Sequence, residues 1–242
     1  SAMMIVGAYV GFSKVLVAVF PVFLLAWLRF GIAAVAMATW VKRAPDEPKL
    51  DARTRRLIFL ESFLGNFLFS ICMLYGMRQA SAISAGVVMA CIPAAVALLS
   101  RVFLNERLSP RTLSAIAFAV LGVGLLALSR NDASADDSSL LGTALLIGAV
   151  LCEASYVVIG KRLTGQVSPK RISALINLWG LALVTPLGVW AALSFDFPSV
   201  TLPIWGGLAL YALAASMWTV WLWMTGLKKI PAAQAGIFTV FL

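Results

Sequence analysis

The sequence contains no histidine among its 242 residues, and only 12% of them are charged. The absence of histidine excludes Ser-His and Cys-His nucleophile pairs and removes the commonest metal ligand. Soluble domains are usually about 25% charged, so this chain has too few charged side chains to cover a soluble fold. Its three cysteines lie singly within apolar runs, which is typical of small buried residues and not of a zinc site or a disulfide framework.

Hydrophobic residues make up 62% of the chain, and the mean hydropathy is +0.97. Roughly 20 apolar residues cross a bilayer as a helix, so the composition predicts an all-α polytopic membrane protein. The candidate spans number nine: about 1–16, 21–41, 57–77, 82–102, 111–129, 140–163, 169–193, 203–227 and 232–242. Because the last span stops at Leu242 after about eleven residues, we expect its remainder and a tenth span in a longer protein.

The basic residues are distributed unequally between the two sets of alternate loops. Fifteen Lys and Arg residues fall on one side and three on the other, with Arg29 inside a span. Basic loops stay cytoplasmic, which predicts a multi-pass inner-membrane protein with a cytoplasmic N-terminus. The membrane topology thus explains why the chain carries a net charge of +9. We therefore expect it to contact membrane lipid, and we expect no nucleic acid as a partner.

Self-comparison reveals an internal repeat at an offset of about 150 residues, in which 74–86 aligns with 224–236. The repeat divides the chain into a first five-helix unit at 1–130 and a second, truncated unit at 139–242. Five is an odd number, so the second unit enters the membrane from the opposite side and the repeat is inverted. Inverted repeats are typical of secondary transporters that work by alternating access.

Several short motifs resemble the EamA-type ten-helix exporters of the drug/metabolite transporter superfamily, and together they extend along essentially the whole chain. They are Leu28-Arg-Phe30, Tyr75-Gly-Met77, the stretch from Ala82 to Pro93, Leu104-Asn-Glu-Arg-Leu-Ser109, Gly122-Val123 and Gly160-Lys-Arg162. The resemblance implies a 5+5 inverted repeat and export of amino acids, other metabolites or drugs through a central cavity. The branches that export aromatic amino acids and methyl viologen are the most similar.

The resulting functional hypothesis is a secondary transporter that exports small amphiphilic metabolites, either amino acids (aromatic ones among them) or cationic drugs. The alternatives are a sugar-phosphate or nucleotide-sugar antiporter of the same superfamily, and a non-transport channel or scaffold. A phosphate substrate would need a basic residue in the cavity, for which only Arg29 is available among the spans. We expect no enzymatic activity, no cofactor, no metal and a monomeric state.

Polar residues within the spans supply the predicted substrate-binding set: Asn66, Ser70, Glu153, Tyr156 and Trp218. Asn66 and Ser70 share one helix face, as do Glu153 and Tyr156. A tryptophan in mid-membrane can stack on an aromatic ring or hold a cation. Packing against a neighbouring helix remains an alternative for each of these side chains.

Three further residues are predicted to act as a hinge or gate: Gly86, Pro93 and Gly236. Glycine occupies matching positions in the two repeats, and proline removes a backbone hydrogen bond and bends a helix. The bend is either a moving hinge or a static feature that widens the cavity.

Two acidic residues within spans have competing interpretations. Glu153 is the deepest acid, and it either pairs with Arg29 as a structural element or faces a water-filled cavity; the face that it shares with Tyr156 favours the cavity. Glu61 lies about one turn inside the end of its span, so we expect its carboxylate to reach the membrane interface.

Overall fold

The computed structural model describes residues 15–43, 47–80, 82–108 and 140–237, together with residues 110, 111, 113, 114, 117, 118, 121 and 125. Within these residues every regular element is helical and no strand occurs. The predicted spans 1 and 5, and the end of span 9, lie mostly outside them. The described chain therefore has the all-helical class that the composition predicts.

Eight helices have defined bounds within the described residues, and residues 15–19 are helical as well. They are α1 (Val22–Ala36), α2 (Ala52–Arg78), α3 (Ala82–Met89), α4 (Ile92–Leu104), α5 (Leu140–Thr164), α6 (Pro169–Leu193), α7 (Leu202–Lys229) and α8 (Ala232–Ile237). Short 3₁₀ turns follow α1 at Ala38–Val41 and precede α7 at Phe197–Ser199.

Five helical segments of the described residues are long and apolar enough to cross a membrane: α2, Ser84–Leu104, α5, α6 and α7. At a rise of 1.5 Å per residue, the 25-residue helices α5 and α6 extend about 38 Å. These five segments correspond to predicted spans 3, 4, 6, 7 and 8, and the apolar helix α1 lies within predicted span 2. The prediction of a multi-pass chain is confirmed.

Helices α2 and α7 share an irregularity at matching positions. Each contains one wide π-helical segment, Phe63–Leu68 in α2 and Leu213–Trp218 in α7. The two segments lie 150 residues apart, which is the offset of the sequence repeat. α2 and α7 also begin 150 residues apart, at Ala52 and Leu202, as do α3 and α8, at Ala82 and Ala232.

The chain divides into two compact units. The first contains α1, the start of α2 as far as Phe63, α6 and α7; the second contains the remainder of α2, with α3, α4, α5 and α8.

In the first unit, α1 lies directly against α6 because glycines on α6 remove the side chains that would separate them. Gly180 faces the ring of Phe30, and Gly188 faces the base of the Trp27 side chain. Two hydrogen bonds join the same helices: the Trp27 indole donates to Thr185 Oγ1 over 3.2 Å, and Asn177 Nδ2 donates to the Phe30 carbonyl over 2.9 Å. Small residues and interhelical hydrogen bonds are the usual means of holding helices together in a bilayer.

The start of α2 is tied to α6 in the same unit. Ser62 Oγ donates to the Ile176 carbonyl over 2.8 Å, and Thr54 Oγ1 lies 2.8 Å from Gln166 Oε1. Glu61 is fully buried, so the expectation that its carboxylate reaches the interface is wrong. The cause is the packing of α2 at this point, which buries the Glu61–Ser62 pair.

In the second unit, α2 and α5 cross closely through glycines on both helices. Gly65 faces the Tyr156 ring, a Cβ on Gly76 would lie 2.9 Å from Leu146 Cγ, and a Cβ on Gly142 would lie 2.5 Å from the carbonyl oxygen of Gln79. Residue numbers rise along α2 as they fall along α5, so the two helices run antiparallel.

Replacement of Gly188 by Ala tests the α1–α6 contact. The added methyl group would overlap Trp27, and overpacking of this kind costs about 1–3 kcal/mol, more than the gain of about 1 kcal/mol in helix propensity. We expect a lower thermal unfolding temperature in detergent. Gly206→Ala on α7 is the matched control, because a Cβ there meets nothing within 4 Å. An equal unfolding temperature for both variants would contradict close packing at Gly188.

The N-cap of α2 predicts a pH dependence of stability. Asp51 Oδ1 accepts the Thr54 N–H over 2.8 Å, and hydrogen bonding by Thr54 lowers the pKa of Asp51 below its usual value. A lowered folded-state pKa stabilises the protein at neutral pH, and this stabilisation is lost as the pH falls through the folded-state pKa. Asp51→Asn keeps a capping oxygen without titrating. We expect the unfolding temperature of wild type to fall relative to this variant between about pH 5 and pH 3.

Asp196→Asn is the control for this measurement, because Asp196 makes no side-chain capping hydrogen bond to the 3₁₀ turn that follows it. If the difference in unfolding temperature between wild type and Asp51→Asn did not change with pH, the Asp51 cap would contribute nothing to the pH dependence of stability.

Candidate functional site

The candidate site lies in the second unit, where the π-helical segment of α2 meets α5. Asn66 lies within this segment, next to Gly65. Tyr156 of α5 packs its ring on Gly65, where no side chain intervenes. A π-helical turn inserts an extra residue into an α-helix and occurs frequently at functional sites. Tyr156 therefore packs on the residue next to Asn66, and a shared role of the two side chains in a binding site stays a prediction.

Glu153 lies one turn from Tyr156 on the same face of α5. The antiparallel crossing of α2 and α5 is fixed by Gly65 against Tyr156 and by Gly76 against Leu146. This register places Glu153 level with the part of α2 between Asn66 and Ser70. Four of the five predicted substrate-binding residues thus lie at a similar level along α2 and α5, and a common binding site for them stays a prediction.

The carboxylate of Glu153 is half-buried and makes no ion pair or hydrogen bond with the described residues. The guanidinium carbon of Arg29 lies 4.5 Å from the centre of the Phe30 ring. Arg29 belongs to the first unit and Glu153 to the second, so the alternative in which these two side chains pair stays a prediction. A carboxylate in this state can bind a cationic group or exchange a proton.

The hydroxyl of Ser70 is engaged within its own helix. Ser70 Oγ donates to the carbonyl of Asn66, and the residue is exposed. Serine often back-bonds in this way within membrane helices. Its hydroxyl oxygen can still accept a hydrogen bond, so Ser70 stays in the predicted set as an acceptor.

Trp218 belongs to the first unit, where it ends the π-helical segment of α7 with 42% of its surface exposed. It remains a predicted ring-binding residue. The two π-helical segments themselves could not be predicted from the sequence, because π and α turns use the same residue types.

The three predicted hinge residues have different surroundings. Pro93 is the second residue of α4, which begins after an interruption of the helix at 90–91. Gly86 is exposed, and a Cβ there would meet nothing within 4 Å. Gly236, in contrast, is buried, and a Cβ there would lie 2.9 Å from Val96 Cβ. Gly236 thus permits close packing of α8 on α4, and movement at any of the three remains a prediction.

The connection between α7 and α8 is held by two charged side chains that were not predicted as site residues. Glu106 accepts the Ala232 N–H at Oε1 over 2.9 Å and the Ala233 N–H at Oε2 over 3.1 Å. Lys161 Nζ donates to the Ile230 carbonyl over 2.7 Å. Asn105, in the left-handed conformation with φ of 56°, ends α4 directly before Glu106. A carboxylate on the N–H groups that open a helix stabilises that end, and Glu106 therefore fixes the start of α8.

Among the described residues, no group of three or more Cys, Asp or Glu side chains lies close enough together to hold a metal ion. Cys72 and Cys152 are both buried and form no disulfide.

Comparison with known proteins identifies similar chains along almost the full length. The model of the EamA-like transporter family matches residues 1–128 and 140–241. The uncharacterized transporter YetK of Bacillus subtilis is 35% identical over 99% of this chain and 73% of its own length. The uncharacterized transporter YyaM of the same organism is 24% identical over 88% of this chain and 70% of its own.

One crystal structure is similar in fold, with a TM-score of 0.66 at 17% identity over 99% of this chain and 80% of that chain. At this level of identity the similarity concerns the fold alone.

Replacement of Glu106 by Ala tests whether this carboxylate fixes the start of α8. Two N–H groups would lose their acceptor, and loss of a helix cap costs about 1–2 kcal/mol. We expect faster hydrogen exchange of the backbone in 230–237 and a lower unfolding temperature. Glu106→Gln keeps one acceptor oxygen and should give an intermediate effect. Unchanged exchange in Glu106→Ala would contradict the assignment.

Proposed function

Since the chain belongs to the EamA-like transporter family, we propose that it is a secondary transporter that exports small amphiphilic metabolites from the cell. The substrates are amino acids, aromatic ones among them, or cationic drugs. The protein works without a chemical step, as a monomer in the inner membrane with a cytoplasmic N-terminus. The unequal distribution of basic residues between alternate loops supports this orientation.

The proposed mechanism is alternating access between two inverted five-helix repeats. Three observations support two copies of one unit. The family model matches two separate ranges, the sequence repeats at an offset of about 150, and the π-helical segments of α2 and α7 recur at an offset of 150. A local irregularity of this kind depends on details of packing, so its recurrence supports common ancestry of the two halves more strongly than apolar helices would.

The single observation that carries the proposal for the site is the carboxylate of Glu153, which is half-buried on a long apolar helix without an ionic partner among the described residues. Charged groups are costly in the membrane, and those that are retained usually serve transport. Tyr156, one turn away on the same helix, and Asn66, on the π-helical segment that packs on Tyr156, are polar groups at a similar level. This set suits the cationic head of an amphiphilic substrate, or a proton that exchanges for it.

Transport measurements on Glu153→Gln test the proposal. The protein would be reconstituted into proteoliposomes, and efflux of the amino acids and of cationic dyes would be followed with and without a pH gradient. We expect this variant to fold with an unchanged unfolding temperature, because no ion pair is lost, and to show reduced transport that no longer responds to the pH gradient. Ser155→Ala is the control, since the neighbouring Ser155 hydroxyl donates to the Leu151 carbonyl of its own helix.

Normal transport with a normal pH response in a well-folded Glu153→Gln protein would remove Glu153 from the mechanism. Absence of efflux for every compound in wild-type protein would contradict the proposed substrate classes.

A further inference from the structure

Helix α7 carries three buried polar atoms that have no hydrogen-bond partner among the described residues. They are the hydroxyl oxygens of Ser216 and Thr219 and the indole nitrogen of Trp223. Ser216 retains only 4% of its accessible surface. In folded proteins the large majority of buried polar atoms are paired, and each exception needs an explanation.

The three side chains occupy one face of the helix. Their spacing of three and then four residues places them in a single stripe, which begins in the π-helical segment and extends about 10 Å along α7. Apolar contacts of α7 within the first unit are made by other side chains: Met217 contacts the cluster around Ala33 and Ala174, and the Trp221 ring lies 6.0 Å from that of Trp40. The packing of α7 thus buries the polar stripe without giving its three polar atoms a hydrogen-bond partner among the described residues.

A neighbouring threonine shows how such a group is normally satisfied in this helix. Thr225 Oγ1 donates to the Trp221 carbonyl over 2.7 Å, as Thr185 Oγ1 does to the Leu181 carbonyl over 2.6 Å on α6. Thr219 Oγ1, in contrast, has no hydrogen-bond partner among the described residues. Its hydroxyl therefore lacks the bond that the other two threonines make.

The chemistry of the stripe defines the ligand that it suits. Two hydroxyls and an indole N–H provide three donors without any charged group. Such a set matches acceptor oxygens, and hydrogen bonds to a charged acceptor are stronger than those to a neutral one. We propose that Ser216, Thr219 and Trp223 form a binding subsite for the carboxylate of the transported substrate.

This inference rests on the proposed transport function, and it narrows the substrates to amphiphiles that carry a carboxylate. Ser216 and Thr219 lie one turn apart, so one carboxylate can bind to both. Trp223 lies one turn further along the helix, so the carboxylate can pass from one pair of donors to the next as the substrate moves.

The first experiment measures the stability of ligand-free protein and does not depend on the identity of the substrate. Ser216→Ala and Thr219→Val each remove one donor with little change of shape. Because an unpartnered buried polar group destabilises the fold, we expect each variant to unfold at the same temperature as wild type or at a higher one. Thr225→Val removes a hydroxyl that is already bonded and is the matched control. A clear decrease for both stripe variants would show structural hydrogen bonds and overturn the proposal.

The second experiment measures binding with two probes that differ only in the carboxylate, L-phenylalanine and 2-phenylethylamine. We expect Thr219→Val and Trp223→Phe to weaken binding of L-phenylalanine about tenfold and to leave binding of 2-phenylethylamine unchanged. Thr225→Val should alter neither. Equal losses for both probes, or no loss for L-phenylalanine, would overturn the subsite.

The two proposals fail in different ways. If wild-type protein binds 2-phenylethylamine but not L-phenylalanine, the carboxylate subsite is wrong and transport of cations stands. If it binds neither probe, the same comparison is made with an amino acid that wild-type proteoliposomes do release. If they release none of the twenty amino acids, both the proposal of amino-acid export and the carboxylate subsite are wrong.

Discussion

The lack of water in the bilayer core is the constraint on which the rest of this structure depends. Every backbone N–H and C=O group must be satisfied within the protein, which leaves helices as the way for this chain to cross. Since lipid tails are as apolar as leucine, helices associate by close packing of small residues and by a few hydrogen bonds. Gly180 and Gly188 in the first unit, and Gly65 and Gly76 in the second, provide these contacts. The polar residues of the candidate site are positioned by the same contacts, because the packing of Tyr156 on Gly65 sets the register of α5 on α2.

The regular part of this architecture was predictable from the sequence, and the irregular part was not. Length and hydropathy alone define α6, whose predicted range of 169–193 coincides with Pro169–Leu193, since apolar runs bounded by Pro and basic residues leave little choice. The break before Pro93 follows from the geometry of proline. The π-helical segments, in contrast, depend on which side chains meet at a helix crossing, and no local pattern encodes that. The burial of Glu61 has the same origin: depth along a helix can be counted from sequence, whereas the face that a neighbouring helix covers cannot.

The candidate site shows the same division. Asn66, Glu153 and Tyr156 were identified because polar residues are conspicuous in apolar spans, and the helix period indicates which of them share a face. Their register across α2 and α5 required the glycine contacts. Ser216 and Thr219 were overlooked because a hydroxyl in a membrane helix is usually bonded to its own backbone, as Thr225 is. Only the positions of atoms distinguish a bonded hydroxyl from an available one.

The two π-helical segments connect these observations. One contains Asn66 and the other contains Ser216, so each of the two equivalent helices carries a polar side chain at its wide turn. A π turn is less favourable than an α turn and persists only where something offsets its cost. In α2 the segment contains Gly65, on which the Tyr156 ring packs. The contact that fixes the register of α5 on α2 is therefore made at the wide turn itself.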